Sequence, residues 1–320
     1  MTKRTLVINL KLEESLVRTI KQFLPDWNIV AANDSVLLTD DLKQAEIILH
    51  WSQKIEPLVL EENKNLKWLQ TWTAGIDSLP LPELQQKGIY VTSANGVHAY
   101  PISETIFALI LGLTRKIHTY VRQQLEKKWY HARLNLEIHH QTMGIIGVGA
   151  IGLETAKIAK AFGMQVLGVR HSGKATDYVD KMYKPDQLNV VLPQCDVVVI
   201  TLPLTKETTY MFTKDQFKQM KDTAILINIG RGPIVKEDDL IQALRQHEIA
   251  GAGLDVFTTE PLPEDSPFWE MEQVIITPHT AGSTKHYDER VIKDIFLPNL
   301  KRYLQGEVPH MNLVDYEKGY

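Results

Sequence analysis

The sequence predicts an α/β fold, a doubly wound parallel sheet joined to a second, smaller α/β domain, and three observations support this. Two series of short apolar runs alternate with helical stretches, one in the first hundred residues and one after residue 140. In the second series a G-x-G-x-x-G cluster directly follows a strand-like run and opens a helix. The chain has 320 residues, more than one hydrophobic core usually holds, so two domains are expected.

The first series consists of Leu6 to Asn9, Asn28 to Ala31, Ile47 to His50, Lys67 to Gln70 and Ile89 to Thr92. These runs are rich in Val, Ile and Leu and are bounded by turn-like or helical stretches, which reads as a small α/β unit. After Pro101, the segment Ile102 to Arg115 is apolar apart from Ser103, Glu104 and Thr105 near its start. It is too long for a strand and is expected to be a buried helix joining the two domains. The second series runs through Thr142 to Ile146, Gln165 to Val169, Asp196 to Thr201, Ala224 to Asn228, Gly251 to Val256 and Val274 to Thr277. None of these alternates strictly with polar residues, as befits parallel strands covered on both faces. Helices are expected between them at Ile151 to Phe162 and Lys236 to Gln246. A last helix over His286 to Leu304 carries Val291, Ile295, Leu300 and Leu304 near helical spacing, with Pro298 expected to kink or interrupt it.

Composition narrows the function classes. A net charge of -4, from 35 basic and 39 acidic residues, gives no basic field to gather nucleic acid. Cys195 is the single cysteine, which excludes an internal disulfide and a cysteine-rich metal site. The adjacent His139 and His140 are too few ligands for a metal, so none is expected. Neither an export signal nor an apolar run of about 18 residues is found, so a cytoplasmic protein with no membrane partner is expected.

Gly147-Val148-Gly149-Ala150-Ile151-Gly152 is the candidate dinucleotide site. Its glycines permit a tight turn and bring backbone N–H groups to a pyrophosphate at a helix N-terminus. The residue closing the next strand selects the cofactor. An acidic side chain there accepts from a ribose 2′-OH, whereas a cation favours a 2′-phosphate. This chain has Arg170, followed by His171, Ser172 and Lys174, with no carboxylate in the turn. NADP(H) is therefore the expected cofactor, with NAD(H) as the second option. A solvated basic turn is the plain alternative.

Three further segments follow predicted strands: Asn228-Ile229-Gly230-Arg231-Gly232, Asp255 to Pro261, and Thr277 to Gly282. They offer a guanidinium that can hold a 2-keto acid in one orientation, a carboxylate and an imidazole. Hydride delivery to a ketone calls for a proton donor near neutrality, and His279 suits that role. Glu260 can accept from its other ring nitrogen, and Asp255 can bind the nicotinamide carboxamide. Taken singly, an ion-paired Arg231, a solvated Glu260 and a core His279 would be ordinary. Together, at the carboxyl ends of strands in one nucleotide-binding sheet, they form a candidate active site.

With these segments and the earlier Thr73-Ala74-Gly75-Ile76-Asp77, the chain resembles the D-isomer-specific 2-hydroxyacid dehydrogenase family over most of its length. The resemblance implies a Rossmann-type domain over residues 99–286 and a smaller flavodoxin-like substrate domain from residues 1–98 and 287–320, with catalysis in the cleft between them. It implies Arg231, Glu260 and His279 as the catalytic trio. Substrate contacts would come from backbone N–H groups around Ala74, Gly75 and Ile76, together with Arg231 and His279. The cofactor set would comprise Gly147, Gly149, Ala150, Ile151, Gly152, Arg170, His171, Ser172, Pro203 and Asp255. Arg170 and its neighbours resemble the NADP(H)-preferring glyoxylate and hydroxypyruvate reductase branch. The expected substrate is a small 2-keto acid or its D-2-hydroxy acid, and a homodimer through the helix after Pro101 is expected.

Competing readings are a dehydrogenase for bulkier branched or aromatic keto acids and a non-catalytic cofactor-sensing protein. A phosphoglycerate dehydrogenase fits less well, because the chain ends soon after its last helix. Trp129, Tyr130, His131, Tyr100 and His98 are equally compatible with a pocket rim and with ordinary packing or a dimer contact.

Overall fold

The structure, a computed structural model, describes residues 3–31, 39–76, 78–132 and 136–316. It divides into two units, Met1–Val97 with Thr284–Tyr320, and His98–Ser283. Both are built on parallel sheets.

In the first unit, β1 (Thr5–Ile8), β2 (Asn28–Ala31), β3 (Ile47–Leu49), β4 (Trp68–Gln70) and β5 (Tyr90–Thr92) lie in the order β2-β1-β3-β4-β5, the flavodoxin-like arrangement. Successive residues point to opposite faces. Leu6, Ile8, Ile47, Leu49 and Trp68 pack with Ile20, Ile292, Phe296 and Leu300. Val7, Ile48, Leu69 and Val91 pack on the other side with Leu42, Ile55, Val59 and Leu84. One of these faces is thus covered by residues almost three hundred positions later in the chain.

That covering segment comprises the helical turn Tyr287–Arg290, a wider π-type stretch Val291–Phe296 and the helix Leu297–Leu304. The interruption expected at Pro298 takes the form of this widened stretch. Proline lacks the N–H needed for the four-residue ladder, and its ring crowds the carbonyl four residues back. Just before it, the Leu297 N–H reaches back five residues to Ile292 O, and the chain stays helical. One turn on, the fully buried Asn299 donates to Met311 O at 2.9 Å and accepts from the N–H groups of His310 and Met311 at 3.0 and 2.9 Å.

In the second unit, β6 (Thr142–Ile146), β7 (Gln165–Val169), β8 (Lys181–Tyr183), β9 (Val197–Ile200), β10 (Ile225–Asn228), β11 (Gly251–Leu254) and β12 (Val274–Ile276) are all parallel, in the order β12-β11-β10-β9-β6-β7-β8. This is the doubly wound dinucleotide-binding order, with one additional strand at the edge. Val198 and Ile200 face one core, and Val197 and Val199 face the other. The edge strand β8 was not anticipated from the sequence. Its three residues, Lys181, Met182 and Tyr183, sit at the sheet border, where one polar side chain costs nothing and no long apolar run is needed.

The apolar helix runs over Ala99–Thr114, beginning three residues before its expected start. Pro101 lies within its first turn, where the missing N–H would have had no intrahelical partner. Ile106, Leu109, Ile110 and Leu113 enter the core of the second unit. Among the described residues no helix is long and apolar enough to cross a membrane.

Replacing Asn299 with Ala leaves three part-buried backbone groups, Met311 O and the N–H groups of His310 and Met311, without this partner. We expect a loss of about 1–3 kcal/mol, read as a lower midpoint in chemical denaturation; an unchanged midpoint would contradict the role given to this side chain.

Candidate active site

Register in the second sheet aligns Val169, Ile146, Ile200, Asn228, Leu254 and Ile276 as successive cross-strand neighbours. The residues that follow them, Arg170, Gly147, Thr201, Ile229, Asp255 and Thr277, therefore leave the sheet along one carboxyl edge. Ligands of such sheets bind at that edge.

At the middle of this row, β6 gives way to the glycine turn and then to the helix Ala150–Ala161. A Cβ on Gly152 would lie 2.6 Å from Gly147 O and 3.0 Å from the Ile145 side chain, so only glycine lets the helix pass this close to its strand. The Thr201 hydroxyl donates to Gly147 O and ties the turn to the loop after β9. Gly149 and Ala150 are exposed, Ile151 is half-buried, a Cβ on Gly149 would meet nothing within 4 Å, and no side chain caps the helix. The Gly149 N–H donates to Gly147 O at 3.0 Å, whereas among the described residues the N–H groups of Ala150 and Ile151 have no acceptor, and such groups at a helix start are what a pyrophosphate requires.

Arg170 follows β7. Its N–H donates to Tyr183 O at 3.1 Å, and its carbonyl accepts from Gly173 at 3.0 Å, which closes a tight turn. Ser172 Oγ accepts from the Lys174 N–H at 3.3 Å. His171 and Ser172 are exposed, and the Arg170 guanidinium has no hydrogen-bond or ion-pair partner among the described residues. Pro203, exposed on the loop after β9, accepts through its carbonyl from the Thr208 hydroxyl at 2.8 Å.

The buried Asn228 knots the loop after β10. Its amide donates to Arg231 O at 3.2 Å and its oxygen accepts from the Gly230 N–H at 3.1 Å. Arg231 stands exposed on this loop, with Nη1 donating to Gly230 O at 2.7 Å. A Cβ on Gly232 would fall 2.0 Å from the Phe257 carbonyl carbon, so the Arg231 loop lies directly against the backbone after β11.

Two carboxylates on that following segment serve different ends. Asp255 is buried and accepts from the Thr277 hydroxyl at 2.5 Å and from the N–H groups of Thr280 and Ala281 at 3.0 and 3.1 Å. It thereby holds the loop that carries His279. Glu260 is partly exposed; Oε1 accepts from the Phe257 N–H at 2.9 Å, and Oε2 lies 2.7 Å from His279 Nδ1. Partial burial works to raise the Glu260 pKa. Its bonds to His279 and to the Phe257 N–H, with the charges of His279 and Arg231, outweigh that and hold the carboxyl below the ordinary value. His279 adopts a left-handed backbone with φ 54°, its N–H donating to Asp255 O at 2.9 Å. Such a conformation is uncommon outside glycine and persists where the surroundings impose it.

Glu260 and His279 are thus joined directly, Arg231 acts on Glu260 through its charge, and Asp255 is committed to the His279 loop. The bonds made by Asp255 were not visible beforehand, since its partners lie 22 to 26 positions away with no periodicity. Glu237, which the sequence-based set did not include, accepts from the Thr258 N–H at 2.5 Å. A glutamate in the first turn of a helix gives no sign of such a reach.

In the first unit, Ala74 and Gly75 are exposed on the loop after β4, and Ile76 is buried. Their N–H groups donate to no acceptor among the described residues, while Thr73 Oγ1 donates to Gly75 O at 2.7 Å. Asp77, the last residue of that motif, lies outside the described residues. Trp129 and Tyr130 are exposed, as is Tyr100, and His98 Nδ1 lies 3.0 Å from Gly282 O. Cys195 is buried, with its thiol pushed up to about 12 by burial. Among the described residues no group of three or more His, Cys, Asp or Glu side chains is placed to hold a metal.

Residues 107–281 match the NAD binding domain of D-isomer specific 2-hydroxyacid dehydrogenases. A glyoxylate reductase of Korarchaeum cryptofilum is 33% identical over 300 residues, covering 91% of this chain and 89% of that protein. A D-isomer specific 2-hydroxyacid dehydrogenase family protein of Aeromonas salmonicida has a similar structure, with a TM-score of 0.84 and 34% identity over 98% of this chain and all of the other. The NADPH-dependent glyoxylate/hydroxypyruvate reductase of Sinorhizobium meliloti, solved with NADP and sulfate, gives a TM-score of 0.80 at 26% identity over 99% of this chain and all of the other. Fold and family together define an NAD(P)-dependent oxidoreductase. The chain belongs to the D-isomer specific 2-hydroxyacid dehydrogenase family.

Because the folded Glu260 pKa is depressed, its charged form contributes stability that is fully present above the unfolded value, near 4.5, and is lost as pH falls through the folded value. Glu260→Gln keeps an acceptor but removes the charge. The stability gap between wild type and Glu260→Gln should therefore be steady near neutrality and close on acidification below about pH 4.5; a gap that widens toward low pH would contradict this electrostatic role.

Proposed function

We propose that the protein reduces a small 2-keto acid such as glyoxylate or hydroxypyruvate to the D-2-hydroxy acid with NADPH as the preferred cofactor. The observation that carries this reading is the 2.7 Å contact between His279 and Glu260 on the edge that also bears Arg231 and the glycine turn. When bound, the nicotinamide supplies the hydride. The glycine turn and the helix start at Ala150 receive its pyrophosphate, and Arg170, His171 and Ser172 receive the 2′-phosphate. Arg231 holds the keto acid through its planar fork, and the N–H groups of Ala74, Gly75 and Ile76 bind the substrate carboxylate. His279 gives a proton to the carbonyl oxygen, while Glu260 fixes the ring and stabilises its charged form. Related proteins named glyoxylate reductase and a relative solved with NADP support the substrate class and the cofactor. A homodimer through the helix after Pro101 is part of the same reading, and the helix that follows it, Ile117–Leu125, exposes Ile117, Val121 and Leu125 at every fourth residue.

Cofactor choice is tested at Arg170. Wild type should have the higher kcat/KM with NADPH, and Arg170→Asp should reverse the order, because a carboxylate repels the phosphate and accepts from a free 2′-OH. An unchanged ratio in the variant, or a wild type indifferent to the phosphate, would refute the assignment.

Proton transfer is tested in both directions with a panel of keto acids and their hydroxy acids. In reduction, kcat/KM should fall with rising pH as His279 loses its proton, and in oxidation it should rise over the same interval. His279→Ala should lose about 10²–10⁴-fold in turnover with NADPH binding retained. Near-normal turnover in this variant would remove His279 from the mechanism.

A further inference from the structure

The segment Phe257–Glu260 carries the chain from the sheet edge to the Glu260 carboxylate, and the Phe257–Thr258 peptide is engaged from two directions. Gly232 lies so close that an added Cβ would stand 2.0 Å from Phe257 C and 2.4 Å from Thr258 N. From the start of the helix Glu237–Arg245, the Glu237 carboxylate accepts from the Thr258 N–H at 2.5 Å. One residue earlier, the Phe257 N–H donates to Glu260 Oε1. Two consecutive N–H groups are therefore divided between two carboxylates, one that contacts His279 and one that lies on the element following the Arg231 loop. We infer that Glu237 is a positioning residue: by holding the Thr258 N–H it registers the turn carrying Glu260, and through it the His279 ring, against the loop carrying Arg231. The inference rests on the acid role proposed above for the Glu260–His279 pair.

The physical basis is geometric. A charge-assisted bond to a backbone N–H is short and directional, and it acts on a peptide adjacent to the one that fixes Glu260. Without it the turn keeps the close approach of Gly232 and the buried Phe257 side chain, which packs in one core with Ile234 and Val235, but the Thr258 N–H loses the directional bond that fixes the orientation of its peptide. Small displacements of groups that act in the transition state reduce turnover by up to about 10²-fold. Losing this bond should accordingly reduce kcat while leaving cofactor binding and substrate KM close to their original values.

The test is a double-mutant cycle on the full-length enzyme, with kcat and KM measured for glyoxylate or hydroxypyruvate reduction and folding checked by thermal denaturation. Glu237→Ala should lower kcat about tenfold, Glu237→Gln, which keeps an acceptor oxygen, should restore most of it, and Asp238→Ala, which removes a neighbouring first-turn charge, should leave it unchanged. In a Glu260→Gln background, Glu237→Ala should add less than about twofold, since the group it positions has already been altered. If Glu237→Ala does not fold, Glu237→Asp, whose carboxylate is one methylene too short to reach Thr258, should show the kcat loss instead. Glu237→Ala within twofold of wild type (or Glu237→Asp, where the Ala variant does not fold), an equal loss from Asp238→Ala, or a full Glu237→Ala loss persisting beside Glu260→Gln would each overturn the inference. Should Glu260→Gln itself behave as wild type, it is the acid role of the pair that fails.

Discussion

Cross-strand register is the constraint on which the second unit depends. Six strands end in one row, from Val169 through Ile146, Ile200, Asn228 and Leu254 to Ile276. Parallel pairing leaves no freedom in which end of each strand meets the edge, and a shift by one residue would turn every buried Val and Ile of β9 and β10 to the opposite core. The two hydrophobic clusters that sandwich the sheet therefore fix the positions of the polar residues as well. Chemistry at the edge is inherited from packing beneath it.

Along that edge, burial sorts the carboxylates. Asp255 is enclosed, and its partners, a hydroxyl and two backbone N–H groups, all belong to the segment carrying His279. Glu260 remains partly in water, with one oxygen on a backbone N–H and the other on the imidazole. A carboxylate buried in this way needs such donors around it. A partly solvated one has an oxygen left for the His279 ring. The left-handed backbone of His279 is imposed by the first and oriented by the second.

Most of the strand pattern was legible in the sequence because parallel strands buried on both faces read as continuous apolar runs, as in Val197–Ile200 and Ile225–Asn228. The edge strand Lys181–Tyr183 was not, since an edge position relaxes that demand. Pro298 was expected to kink or interrupt its helix, and the interruption takes the form of the widened stretch Val291–Phe296 just before it, a form that the proline alone does not specify. At the edge, the glycine turn and the Glu260–His279 contact follow from residues that stand out by type and spacing. The Glu237–Thr258 bond and the enclosure of Asp255 join positions separated by about twenty residues, and no local pattern carries such information.

The covering of the first sheet by Ile292, Phe296 and Leu300 has a consequence for biosynthesis. A ribosome delivers β1 to β5 first, then the whole of the second unit, and only afterwards the segment that shields Leu6, Ile8, Ile47 and Trp68. The second unit is contiguous and can complete its core while translation continues, whereas the first must wait with one apolar face open until the last forty or so residues emerge. Folding order thus inverts chain order, and the interval in between is when the nascent protein is most exposed to aggregation and most in need of chaperones.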